Sequence, residues 1–166
     1  MLDPPRGISS LAREVLRLKG DPLVRSMVEE RVAEFLGVKE KDSFAWFNEL
    51  AYCLLTAYSS AKRGQLCVDA VCDCGSMLEG SVEEVAAALK RQGHRFAERR
   101  AEYIVEARRL IPDLKKIVES FGDSRDAREW LVESVKGFGL KEASHFLRNV
   151  GYMDVAIIDR HILSNM

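Results

Sequence analysis

Hydrophobic residues return at spacings of three and four along nearly the whole 166-residue chain. That is the period of a helix with one face turned inward. Residues 8–19 and 22–36 mix charge with Leu, Val, Met and Phe at this spacing. Asp21-Pro22 opens the second of these segments, with the aspartate as cap and the proline in the first turn, and Gly37 is expected to end it. Residues 44–58 are apolar almost all round (Phe44, Trp46, Phe47, Leu50, Ala51, Leu54, Leu55), which predicts a buried central helix. Further helices are expected over 61–74, 82–92, 96–110, 113–121, 125–135 and 140–150. Ser81-x-x-Glu84 supplies a capping box for the segment at 82, and Asp123-Ser124 caps the segment at 125. Residues 152–158 are short and β-branched and are expected to be extended, after which Asp159 caps a final helix. The pattern predicts an all-α fold with a central cleft, without repeats or low-complexity tracts.

Composition narrows the class. The length suits one domain, or two small helical lobes sharing a cleft. Apolar residues make up 47% of the chain, enough for a sizeable core. No apolar run reaches membrane-spanning length and the N-terminus lacks a signal-peptide core, so the expectation is a cytoplasmic protein with no membrane partner. The net charge of −1 argues against a general nucleic-acid coat protein but leaves room for a local basic face. Cys53, Cys67, Cys72 and Cys74 lack the spacing of a zinc or iron–sulfur site, so buried reduced thiols and no metal are expected.

The chemistry concentrates near the C-terminus, in Lys136-Gly137-Phe138-Gly139-Leu140-Lys141-Glu142. A glycine turn between two helices lets backbone N–H groups approach a phosphate without hindrance from a Cβ. Lys141 follows in the first turn of the next helix, where the positive helix end favours a neutral, nucleophilic amine. Asp159 comes eighteen residues later, in Ile157-Ile158-Asp159-Arg160-His161. Lys141 read alone is a surface lysine, and Asp159 read alone is a helix cap. Together with the glycine turn they predict a DNA-handling hairpin that carries amine chemistry.

These residues closely resemble the helix-hairpin-helix DNA glycosylase superfamily, and within it the archaeal and thermophilic 8-oxoguanine DNA glycosylase/lyases. The blocks that carry the likeness are KGFGLKEASHFLRN at 136–149 with Asp159-Arg160-His161-Ile162-Leu163, GHRF at 93–96 with RAEYI at 100–104, and LAYCLLTA at 50–57 with Ser60-Ala61. The resemblance implies a two-lobed helical glycosylase fold over 1–166, with the hairpin and catalytic segment at 125–166. It also implies that the family's C-terminal tail is missing from this sequence. The implied activity is excision of 8-oxoguanine through a lysine Schiff base, with strand cleavage by β-elimination.

On that resemblance Lys141 is the nucleophile and Asp159 stabilises the cationic sugar. Gly137 and Gly139 shape the phosphate-binding hairpin, whose carbonyls hold a monovalent cation; no other cofactor is required. Lys136 and Arg148 contact phosphate. His145, one turn after Lys141, contacts DNA or packs. Phe96, His94 and Ser60 are candidates for the base pocket, and Arg160 and His161 support the aspartate. The implied partner is double-stranded DNA containing 8-oxoguanine, bound by a monomer. The competing readings are a glycosylase for another oxidised base and a non-catalytic helix-hairpin-helix DNA-binding module. The module needs the hairpin but not an aspartate in this register.

Overall fold

The computed structural model describes residues 10–165, and no strand occurs among them. Ten α-helices follow one another: α1 (Ser10–Lys19), α2 (Pro22–Lys39), α3 (Ser43–Thr56), α4 (Ala61–Asp73), α5 (Val82–Arg91), α6 (Ala97–Ala107), α7 (Leu114–Ser120), α8 (Ser124–Ser134), α9 (Leu140–Asn149) and α10 (Arg160–Asn165). The all-α reading holds. Residues 8 and 9 of the first expected helix lie outside the described residues.

Local side chains cap the helix starts, the predicted Asp21 and Ser81 among them. Asp21 accepts the backbone N–H groups of Leu23 and Val24, and Asp42 accepts that of Ala45. Ser81 and Glu84 form the reciprocal capping box of α5. One stop signal fails. α2 runs through Gly37 to Lys39, because the Lys115 ammonium closes its end by donating to the carbonyls of Lys39 (2.7 Å) and Lys41 (2.9 Å). A cation on the last carbonyls favours the helix end by charge and by hydrogen bonding.

α3 is the axis of the core. Trp46, Phe47, Leu50, Ala51, Cys53, Leu54 and Leu55 are fully buried on it. It packs against α4, α6, α7 and α9. The Trp46 ring meets Phe146 of α9 edge-on at 6.1 Å, and its ring N–H donates to the Val38 carbonyl at 3.1 Å. This contact fixes α9 against the central helix. Truncating a buried aromatic such as Phe146 to alanine would cost roughly 3–5 kcal/mol. α8 packs on α9, so the turn between them, residues 135–139, is held from both sides.

Two expected helices end early. Residues 108–110 tighten into a 3₁₀ turn beyond α6. The central helix stops at Thr56, not at 58, and Tyr58 takes a positive φ of 62°. All four cysteines are free; Cys53 and Cys67 are buried as expected, whereas Cys74 is exposed. None of the described helices is long and apolar enough to cross a membrane.

Candidate active site

A cleft of about 890 Å³ opens between the α3–α4 turn and the starts of α9 and α10. Thr56, Tyr58, Ser59, Ser60 and Arg63 line one wall, and Lys141, Glu142, Ile158, Asp159 and His161 line the other, with Arg95 at the edge. The chain therefore brings Lys141, Asp159 and Ser60 into one cavity, although 81 positions separate Ser60 from Lys141 in sequence.

The hairpin sets the position of Lys141. Gly137 has φ of +91°, and a Cβ there would lie 2.4 Å from the Tyr103 ring. Only glycine fits that close approach without strain. Gly139 differs: its backbone is extended (φ −113°, ψ −176°). Its N–H is not open to an incoming phosphate, because it donates to Glu142 Oε2 at 3.2 Å. The expectation that both glycines offer N–H groups is corrected to that extent. The carbonyls of Lys136, Gly137 and Phe138 accept no backbone hydrogen bond among the described residues.

Glu142 also faces the lysine. Its Oε1 lies 3.6 Å from Lys141 Nζ, with the glutamate side chain mostly buried and the lysine partly exposed. Asp159 stands apart from this pair. Its Oδ1 accepts the N–H groups of His161 and Ile162, both at 2.9 Å, and these bonds hold its carboxyl below the usual carboxylate range. The cap predicted for Asp159 is present, and its carboxylate stays ionised within the cleft that holds Lys141. The Arg160 side chain lies outside the described residues.

Four candidates sit elsewhere. His94 is buried and lines no part of the cleft; its Nε2 faces the Leu55 carbonyl at 3.0 Å and its Nδ1 accepts the Phe96 N–H at 3.2 Å. Burial lowers its pKa, so it is a neutral tether between the α5–α6 loop and α3. Phe96 stays outside the cleft lining but abuts its rim, edge-on to Tyr58 with ring centres 6.2 Å apart. Lys136 pairs with Glu106 at 3.3 Å on the surface. Arg148 is roughly 12 Å along α9 from the hairpin. Its guanidinium donates to Asn149 Oδ1 (2.8 and 3.2 Å) and stacks on Phe35, so it does not join the hairpin. Ser60 does reach the cleft, but its hydroxyl caps α4 by accepting the Arg63 N–H. His145 packs edge-on against Tyr52 at 5.7 Å, and burial and the nearby Arg148 and Lys141 charges push its pKa down to about 4.

Tyr58 was not legible as a site residue. It is 86% exposed and stands at the mouth of the cleft. In sequence it continues the apolar run of α3, and only the break after Thr56 turns it outward. Arg63 and Arg95 likewise add positive charge to the cleft.

Among the described residues no group of three or more His, Cys, Asp or Glu side chains gathers as a metal site. An amine and a fixed carboxylate in one cleft, with a glycine hairpin leading into the helix that carries the amine, define an amine-bearing helix-hairpin-helix protein. Residues 28–166 match the family model described as 8-oxoguanine DNA glycosylase. The chain is 50% identical over 157 residues to the 8-oxoguanine DNA glycosylase/AP lyase of Korarchaeum cryptofilum, covering 95% of this chain and 73% of that protein. It is 47% identical over 156 residues to that of Methanocaldococcus jannaschii, covering 94% and 73%. Among solved structures, the M. jannaschii 8-oxoguanine glycosylase/lyase in complex with a 15mer DNA containing 8-oxoguanine superposes with a TM-score of 0.87 at 46% identity, over 95% of this chain and 74% of that one. The Thermotoga maritima 8-oxoguanine DNA glycosylase superposes at 0.83 and 41% identity, over 94% and 73%. The chain belongs to the 8-oxoguanine DNA glycosylase family.

Proposed function

We propose that this chain excises 8-oxoguanine from duplex DNA and cleaves the resulting abasic strand, with Lys141 as the nucleophile. The observation that carries the reading is the shared cleft of Lys141 and Asp159, beside a hairpin held open by Gly137. The damaged nucleotide must leave the base stack for its C1′ to be reached. Neutral Lys141 Nζ forms a bond to C1′ as the bond to the base breaks; the base leaves with the bonding electrons and takes up a proton. The attached amine gives up its protons, one of them to O4′, as the C1′–O4′ bond breaks and the ring opens to the Schiff base. Loss of a C2′ proton then expels the 3′ phosphate by β-elimination. The ionised Asp159 stabilises the positive charge that develops on the sugar.

The hairpin and α9 anchor a phosphate next to that sugar, and a monovalent cation at the hairpin carbonyls belongs to the same reading. The Tyr58 and Phe96 rings at the cleft mouth offer stacking faces to unpaired bases. Amine and carboxylate side chains suffice for these steps. The protein is proposed to act as a monomer on double-stranded DNA.

The test is a labelled duplex carrying one 8-oxoguanine, incubated with the purified chain. The expected products are the free oxidised base and a strand cut 3′ to the lesion. An intact strand after alkali treatment, with the base retained, would overturn the reading. Release of an oxidised pyrimidine in preference would point to the other-base alternative.

A further inference from the structure

Arg100, on α6, is 93% buried, and its Nε is enclosed without a hydrogen-bond partner. Its guanidinium rests against the Tyr103 ring, 5.6 Å from the ring centre. Among the described residues no carboxylate forms an ion pair with it. Removing a charge from water without a partner is costly, and a buried polar group left unsatisfied calls for an explanation. Arg108, eight residues on, shows how this fold uses a structural arginine. Its guanidinium donates to the carbonyls of Met77, Gly80 and Ser76. Arg100 has no such set.

Its location supplies the reason. A Cβ at Gly137 would sit 3.3 Å from Arg100 Nη1, so the missing side chain leaves that nitrogen next to the hairpin backbone. The N–H groups of Lys136 and Gly137 donate to no backbone carbonyl among the described residues. The ten-residue α9 begins three residues after Gly137, with its positive end toward the turn. Donors and positive charge predominate there, and the Glu142 carboxylate at the hairpin is already engaged by the Gly139 N–H and Lys141. A phosphate accepts on every oxygen and is negative, whereas a base edge presents donors and acceptors mixed.

We propose that Arg100 binds a DNA phosphate, with Nη1 and the open hairpin N–H groups holding it from two sides. The proposal rests on the glycosylase reading and deepens it. The hairpin clamp then has a buried, preoriented cation beneath it, in addition to its backbone donors. Bound phosphate would supply, at Nη1, an acceptor for a guanidinium that has no carboxylate beside it in an ion pair among the described residues.

The test is the salt dependence of binding to an undamaged duplex, read by fluorescence anisotropy for wild type, Arg100→Met and Arg100→Lys. Methionine keeps the packing against Tyr103 and removes the charge. Arg100→Met is expected to bind about tenfold more weakly at 0.1 M salt, with a slope of log K against log salt shallower by about 0.9, one phosphate contact. Its melting temperature without DNA should be unchanged or raised. Arg100→Lys should keep the wild-type slope. An unchanged slope in the methionine variant overturns the proposal. So does a loss confined to one opposite base, which would place Arg100 on a base edge. If the methionine variant does not fold, the Arg100 Nε–H signal of the wild-type protein decides by NMR: it should shift as duplex is added, and an unmoved signal overturns the proposal. Base release and strand cleavage by the wild type test the glycosylase reading separately, whatever these variants do.

Discussion

Lys141 and Glu142 are neighbours in sequence, yet their side chains meet, with Nζ 3.6 Å from Oε1. Adjacent residues on a helix point about 100° apart and do not ordinarily face each other. Both side chains here lean back over the N-terminus of α9, the direction helical side chains favour. Glu142 is drawn there by the Gly139 N–H, which its other oxygen accepts at 3.2 Å. One carboxylate thus ties the hairpin to the amine.

Removing that carboxylate should loosen the hairpin. Glu142→Ala leaves the Gly139 N–H without its acceptor and is expected to cost about 1 kcal/mol, the usual scale of a capping contact. Glu142→Gln retains an oxygen acceptor and should lose less. Thermal unfolding of the three proteins should rank wild type above glutamine above alanine. An alanine variant as stable as wild type would mean that the bond to Gly139 contributes nothing.

The two hairpin glycines should respond unequally. Gly137→Ala forces a Cβ to 2.4 Å from the Tyr103 ring, at a φ of +91° that alone costs roughly 1–2 kcal/mol. Gly139→Ala keeps an extended backbone and approaches only the far end of the Glu142 side chain, at 3.3 Å. Its loss should stay below about 1 kcal/mol, the cost of alanine at a helix cap. Duplex affinity and melting temperature should both fall further for Gly137→Ala. The reverse order would show that the hairpin closes differently.

Asp159→Asn should keep the helix cap and lose excision. The cap uses only Oδ1, which asparagine also provides. The lost charge is the one proposed to steady the cationic sugar. Single-turnover release of 8-oxoguanine should drop by more than tenfold, about 1.4 kcal/mol of barrier, while lesion binding persists. A rate within about threefold of wild type would leave Asp159 as a cap alone.

His145 should make the fold acid-sensitive. Its pKa is pushed down to about 4 in the folded protein, against about 6.5 in an unfolded chain. Between those values the unfolded chain binds more protons, so stability falls as pH drops from about 6.5 to about 4. The lowered pKa of His94 acts in the same direction. His145→Gln should show a weaker decline in melting temperature over that range than wild type. Equal declines would mean that His145 titrates alike in both states.

The helices were legible because their apolar residues keep a three-to-four spacing and their caps are local. The pairing of hairpin and lysine was legible for the same reason, since Gly137 to Lys141 spans one turn. What escaped depends on contacts between distant segments. The end of α2 is set by Lys115, far along the chain from Lys39. His94 looks like a site residue until its ring is seen facing Leu55, 39 residues away. Nothing local says that Gly137 and not Gly139 carries the positive φ; the Tyr103 ring decides it. Arg148 follows the lysine on the same helix, but Phe35 and Asn149 claim its charge.

The central claim is that Lys141 is the amine that attacks the sugar, and borohydride trapping tests it most directly. Borohydride reduces a Schiff base to a stable amine and so fixes the protein to the DNA it is processing. Wild type incubated with an 8-oxoguanine duplex and borohydride should give one covalent complex, and peptide mapping should place the link on Lys141. Lys141→Gln should bind the same duplex yet give no complex and no cut strand. A glutamine variant that is still trapped would contradict the account, because another amine would then be the nucleophile.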